Sequence, residues 1–78
     1  MQYPIEQYYA TTTVKTLAVR GSYSKRSAKK ATIDKKGSRI TIIKMGYFDE
    51  NNEEWCQVRL NNGKVGYVMR KYLAVDYE

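Results

Sequence analysis

The chain has 78 residues, with 14 Lys and Arg against 8 Asp and Glu, no His and a single Cys. A chain this short makes one domain at most and buries only about 60% of its unfolded surface, so the core is small and a deep catalytic cleft plus a second module is excluded. The missing histidines remove the commonest general base, the commonest zinc ligand and every Cys-His or Ser-His pair, while Cys56, being alone, permits no intrachain disulfide and makes a poor metal site.

Residues 1–11 read as an N-terminal arm or linker and residues 12–78 as the folded domain. Pro4 argues against an early helix, and Tyr3, Tyr8 and Tyr9 make the arm aromatic enough to pack back on the domain. Residues 11–20, TTTVKTLAVR, are β-branched; Val14 and Thr16 share one parity, Leu17 and Val19 the other, which predicts a bulge or bend near Thr16 and Leu17. Residues 21–30, GSYSKRSAKK, read as an irregular exposed loop holding Tyr23. A short strand centred on Ile33 spans 31–36, and Gly37-Ser38 makes a turn. In the strand at 39–46, Ile40 and Ile42 face one way and Ile43 and Met45 the other. Residues 47–54 form a polar loop.

Residues 55–60 and 65–69 make a hairpin around Asn61-Asn62-Gly63, where Asn-Gly suits the positive φ of a tight turn. Gly66 inside its second strand predicts a bulge or a close backbone approach. Residues 69–73 predict one 3-10 turn before a last short strand. The sum is an all-β fold of five to six short strands with no amphipathic helix, and at this size a small barrel is favoured because closure removes exposed edges. Val19, Ile33, Ile40, Ile42, Val58, Val68 and Leu73 can fill its interior, and Cys56 reads as a small buried hydrophobe.

The order of these pieces resembles the bacterial SH3 (SH3b, SH3 type 3) domain family. The likeness rests on Leu17-Ala18-Val19-Arg20, Gly21-Ser22, Ile33, Lys36-Gly37, Ile40-Thr41-Ile42, Trp55, Val58, Gly63-Lys64-Val65-Gly66-Tyr67-Val68 and Tyr72-Leu73, and it covers roughly residues 12 to 73. Two places depart from the family pattern: Ala18 stands where Asn is usual, and Gly21-Ser22-Tyr23-Ser24 leads into an unusually basic stretch. The resemblance implies an SH3-like barrel acting as a non-catalytic binding module. Such modules hold an attached or partner hydrolase near bacterial cell wall by binding the peptide part of peptidoglycan, often through an aromatic groove.

One Trp, one Phe and eight Tyr exceed what a small barrel buries, and surface Tyr and Trp are effective recognition residues. The candidate ligand-binding residues are Tyr23, Tyr47, Trp55, Tyr67 and Tyr72, with a structural alternative in which Trp55 and Tyr67 pair across the hairpin. Arg20, Lys25, Arg26, Lys29 and Lys30 form a candidate basic patch. Beside Tyr23 it suits an anionic cell-wall polymer, and it also suits single-stranded nucleic acid, although no nucleic-acid motif or groove-reading helix is present. Asp49, Glu50, Glu53 and Glu54 lack the spacing of a calcium loop and read as a solvated loop tip.

Neither enzyme activity, nor a cofactor or metal, nor a membrane span is expected. The expected partner is peptidoglycan, another cell-wall polymer or a protein, bound by a monomer. The alternative is an intracellular protein-protein or nucleic-acid-binding barrel of a phage or mobile element. The expected location is extracellular or the cell envelope for a piece of a longer secreted protein, and cytoplasmic if Met1 is the native start.

Overall fold

In a computed structural model, which describes residues 8–76, seven strands form one antiparallel sheet. They are β1 (Tyr8–Thr12), β2 (Leu17–Arg20), β3 (Lys29–Ile33), β4 (Arg39–Phe48), β5 (Glu54–Arg59), β6 (Val65–Met69) and β7 (Leu73–Asp76). The sheet order is β3-β2-β6-β5-β4-β1-β7, and a 3-10 turn over Arg70–Tyr72 links β6 to β7 where the sequence predicts one. No helix covers either face among the described residues. Yet Ala10, Val19, Ile42, Cys56, Val58 and Val68 are all nearly solvent-free and belong to one cluster. A lone sheet achieves that burial only by curling so that its own halves cover each other, as the expected SH3-like barrel requires.

The strand count exceeds the expected five to six because the β-branched run at 11–20 is two pieces. Bends at Val14 and Lys15 separate β1 from β2. Residues 8–11, read from the sequence as the end of an arm, lie in β1 and pair on both sides, Ala10 opposite Ile40 of β4 and opposite Val75 of β7. Ala10 is buried on the inner face of β1, and the tyrosines around it hid the alternation. Tyr3 lies outside the described residues.

Two bulges in β4 set which side chains face inward. The register skips Ile43 and again Gly46. Each extra residue reverses the alternation of everything after it. Ile42 therefore faces the core opposite Val58, and Met45 packs on that core opposite Cys56 instead of facing away from it as simple alternation predicts. The second skip, at Gly46 with φ +92°, turns Tyr47 to the other face, opposite Trp55. Without that left-handed residue Tyr47 would follow Met45 inward.

Gly66 confirms a close approach. A Cβ there would stand 2.5 Å from Val19 Cγ1 and 2.9 Å from the Arg20 carbonyl oxygen. Its absence lets β2 cross β6 near Arg20 and Tyr67, the residues paired between these strands.

Candidate ligand-binding groove

Alternation along the β5–β6 hairpin splits it into two faces. Cys56 with Val68 and Val58 with Gly66 face the core, whereas Trp55 with Met69 and Gln57 with Tyr67 face the other way. Arg20 joins this second face opposite Tyr67, and Tyr47 joins it opposite Trp55. The sheet's outer surface, together with the loop after β2, thus makes the candidate site.

Tyr23, Tyr47 and Tyr67 meet there. Tyr23 stacks on Tyr47 with centroids 5.0 Å apart, Tyr47 meets Tyr67 edge-on at 5.3 Å, and Tyr23 lies tilted at 5.7 Å from Tyr67. These offset and edge-on arrangements match the ring quadrupole. Lys44 Nζ sits 5.6 Å from the Tyr47 centroid, a cation over the same cluster. Burial pushes the Tyr67 phenol above its usual range, and the neighbouring Tyr47 hydroxyl, by charge and hydrogen bond, and then Tyr23 push it further. Tyr23 remains exposed.

Beside the cluster runs an open groove of about 360 Å³. Leu17, Trp55 and Met69 supply its apolar floor, Val14 and Tyr72 its sides, and Arg20 and Lys25 its charge. Tyr72 is half-buried against the core, with Lys71 Nζ 5.4 Å from its ring centroid. The volume is at the small end for a ligand site and suits one or two peptide side chains.

Trp55, expected as a surface ligand-binding residue, is only 1% exposed and serves as groove floor. It does not pair with Tyr67: its cross-strand partners are Met69 and Tyr47. Its indole N–H donates to Asp49 Oδ2 at 2.9 Å. Asp49 Oδ1 accepts from the Asn51 and Glu53 amides at 2.8 and 2.9 Å. These bonds, Glu53 first and Trp55 second, hold the Asp49 carboxyl below its usual range. The loop read as a solvated acidic tip is therefore tied to the groove by its first carboxylate. Asx turns are the signal that could have shown it, since Asp49 begins Asp-Glu-Asn-Asn, ahead of the positive φ of Asn52.

Residues 21–28 form the irregular, mostly exposed loop that the sequence predicts, and its serines brace it. Ser27 Oγ donates to Ser24 O at 2.5 Å and also lies 3.0 Å from Ser22 O, Gly21 N–H donates to Ala28 O at 2.9 Å, and Arg20 Nη1 donates to Ser27 O at 2.9 Å. The predicted basic patch divides accordingly. Arg20 braces the loop, Lys30 Nζ donates to Val65 O at 3.1 Å, and Lys29 and Lys30 lie in β3. Lys25 lines the groove, and Lys25, Arg26 and Lys29 are exposed. Leu17, Met69 and Lys44 were not singled out from the sequence as site residues, although Met69 shares the parity of Tyr67.

Cys56 is fully buried beneath this face, and desolvation pushes its thiol up to about 11. Among the described residues, no group of His, Cys, Asp and Glu is placed to hold a metal ion, and no helix is long and apolar enough to cross a membrane.

The sequence model of the bacterial SH3 domain matches residues 15–74. No curated protein and no solved structure matches the chain. The family match spans most of the chain and agrees with the curled all-β sheet, so the chain belongs to the bacterial SH3 domain family, a family of non-catalytic binding modules.

Proposed function

We propose that this domain binds the peptide part of bacterial cell wall and so holds an attached or partner hydrolase against its substrate. The observation that carries the reading is the groove itself, with an apolar floor of Leu17, Trp55 and Met69, the Tyr72 ring on one side and the Tyr23–Tyr47–Tyr67 cluster beside it. A peptide of small side chains fits such a channel, and rigid tyrosines give contact area at little entropic cost. Domains of this family often occur in secreted or envelope proteins, which supports the same reading. A weak local contact suffices, because tethering raises the effective concentration of substrate around the linked enzyme.

The test is co-sedimentation with purified peptidoglycan at low salt. The wild-type chain pellets, and Tyr23→Ala or Tyr72→Ala weakens pelleting while the far-ultraviolet spectrum stays unchanged. A chain that remains in the supernatant overturns the proposal.

A further inference from the structure

We propose that Lys25 makes the groove selective for a peptide bearing a free carboxylate, with the neighbouring apolar side chain of that peptide resting on Trp55 and Met69. The inference rests on the wall-peptide reading and adds the chemical feature that the groove selects.

The groove lining holds two cations, Arg20 and Lys25, and no carboxylate. The two cations have different duties. Arg20 is half-buried and directs Nη1 at the Ser27 carbonyl, so it braces the loop. Lys25 is exposed and forms no ion pair among the described residues, where Lys71 and Glu53 make the pair, at 3.8 Å. Asp49 is near enough to feel the Lys25 charge, but both of its oxygens already accept hydrogen bonds, from the Asn51 and Glu53 amides and from the Trp55 indole.

The backbone that carries Lys25 is fixed on both sides. Gly21 pairs with Ala28, and Ser27 bonds back to Ser22 and Ser24. An ammonium lining an apolar groove, engaged in no salt bridge among the described residues, complements an anion attached to an apolar group. A peptide carboxylate beside a small side chain has that combination, whereas a bare phosphate polymer has nothing to set on Trp55 and Met69. A charge-assisted hydrogen bond is enough for about a tenfold preference.

The probes are two synthetic pentapeptides, alanyl-γ-glutamyl-lysyl-alanyl-alanine with free carboxylates and the same peptide amidated at every carboxyl, titrated calorimetrically into the whole chain. The free form is expected to bind roughly tenfold more tightly. Lys25→Ala removes the difference, Lys25→Arg keeps it, and Arg26→Ala, outside the groove lining, leaves it unchanged. Equal affinity for the two peptides, or a preference that survives in Lys25→Ala, overturns the inference. So does polyphosphate displacing the free peptide as effectively as a second portion of that peptide. If peptidoglycan sediments the chain while amidation makes no difference, the carboxylate selectivity fails and the wall-peptide reading stands. If neither peptidoglycan nor peptide binds, both fall.

Discussion

The Trp55 indole N–H donates to Asp49 Oδ2 across 2.9 Å, and this bond anchors the loop after β4 to the floor of the groove. It also explains why a large aromatic can lie fully buried on the outward face of a hairpin: its one polar atom has a partner, so burial leaves nothing unsatisfied.

Asp49→Asn should lower the melting temperature at neutral pH. An amide offers one accepting oxygen, yet donors face Asp49 from both sides, the Trp55 indole and the Asn51 and Glu53 amides. The folded pKa of Asp49 lies below the ordinary 3.8, so its stabilisation is complete above that value and is lost as pH falls through the depressed folded value. Thermal melts from neutral pH down to strong acid should show wild type and variant converging at the acid end. Parallel melting curves across the whole range would remove Asp49 from this role.

Tyr67 should ionise above the ordinary phenol range, because burial comes first and Tyr47 second in raising its pKa. A group whose folded pKa is raised contributes stability in full below its unfolded value, here about 10, and that contribution is lost as pH rises through the folded value. Phenolate absorbance followed during an alkaline titration checks this. Tyr47→Phe should move the Tyr67 transition to lower pH, and an unchanged transition would show that the hydroxyl contact is not felt.

Gly66→Ala should destabilise the fold by roughly 1–3 kcal/mol in a urea titration, the usual range for overpacking. The added methyl meets Val19 Cγ1 at 2.5 Å and the Arg20 carbonyl at 2.9 Å. Adding Val19→Ala should recover only part of the loss, since the backbone contact persists. Full recovery would place the whole strain on the Val19 side chain.

Cys56 should resist alkylation in the native state. With the thiol at about 11 and no exposed surface, its reactive thiolate at pH 8 is scarcer by about two orders of magnitude than in the unfolded chain. Iodoacetamide labelling followed by mass spectrometry, with and without denaturant, measures that ratio. Rapid labelling of the folded protein would contradict the burial.

Much of the fold was legible in local signals. The Asn61-Asn62-Gly63 turn, the flanking alternation of Val58 and Val68, and the 3-10 turn before Leu73 are short-range features that need no tertiary information. The position of β1 was not legible, because Tyr8-Tyr9-Ala10-Thr11-Thr12 shows no clear alternation of apolar and polar residues, and its partners β4 and β7 are far away in the sequence. The bulges at Ile43 and Gly46 were also hidden: counting alternate residues assumes an unbroken register, and both shifts show only once β5 is alongside.

The candidate site divides the same way. Its aromatic members could be listed from the sequence, but the meeting of Tyr23, Tyr47 and Tyr67 depends on the Gly46 bulge and on a loop braced by Arg20 and Ser27. The separate duties of Trp55 as floor and Lys25 as groove charge depend on burial and hydrogen bonding, which composition does not encode.

The most direct test of the central claim is a nuclear magnetic resonance titration of the labelled chain with soluble peptidoglycan fragments, watching the Trp55 indole N–H. A cell-wall peptide in the groove shifts that resonance together with the amides of Leu17, Ala18, Lys25 and Met69, while the β1 and β7 amides stay still. Shifts confined to β1 and β7, or a spectrum that does not respond at all, would contradict the claim that this groove is where the domain holds the wall.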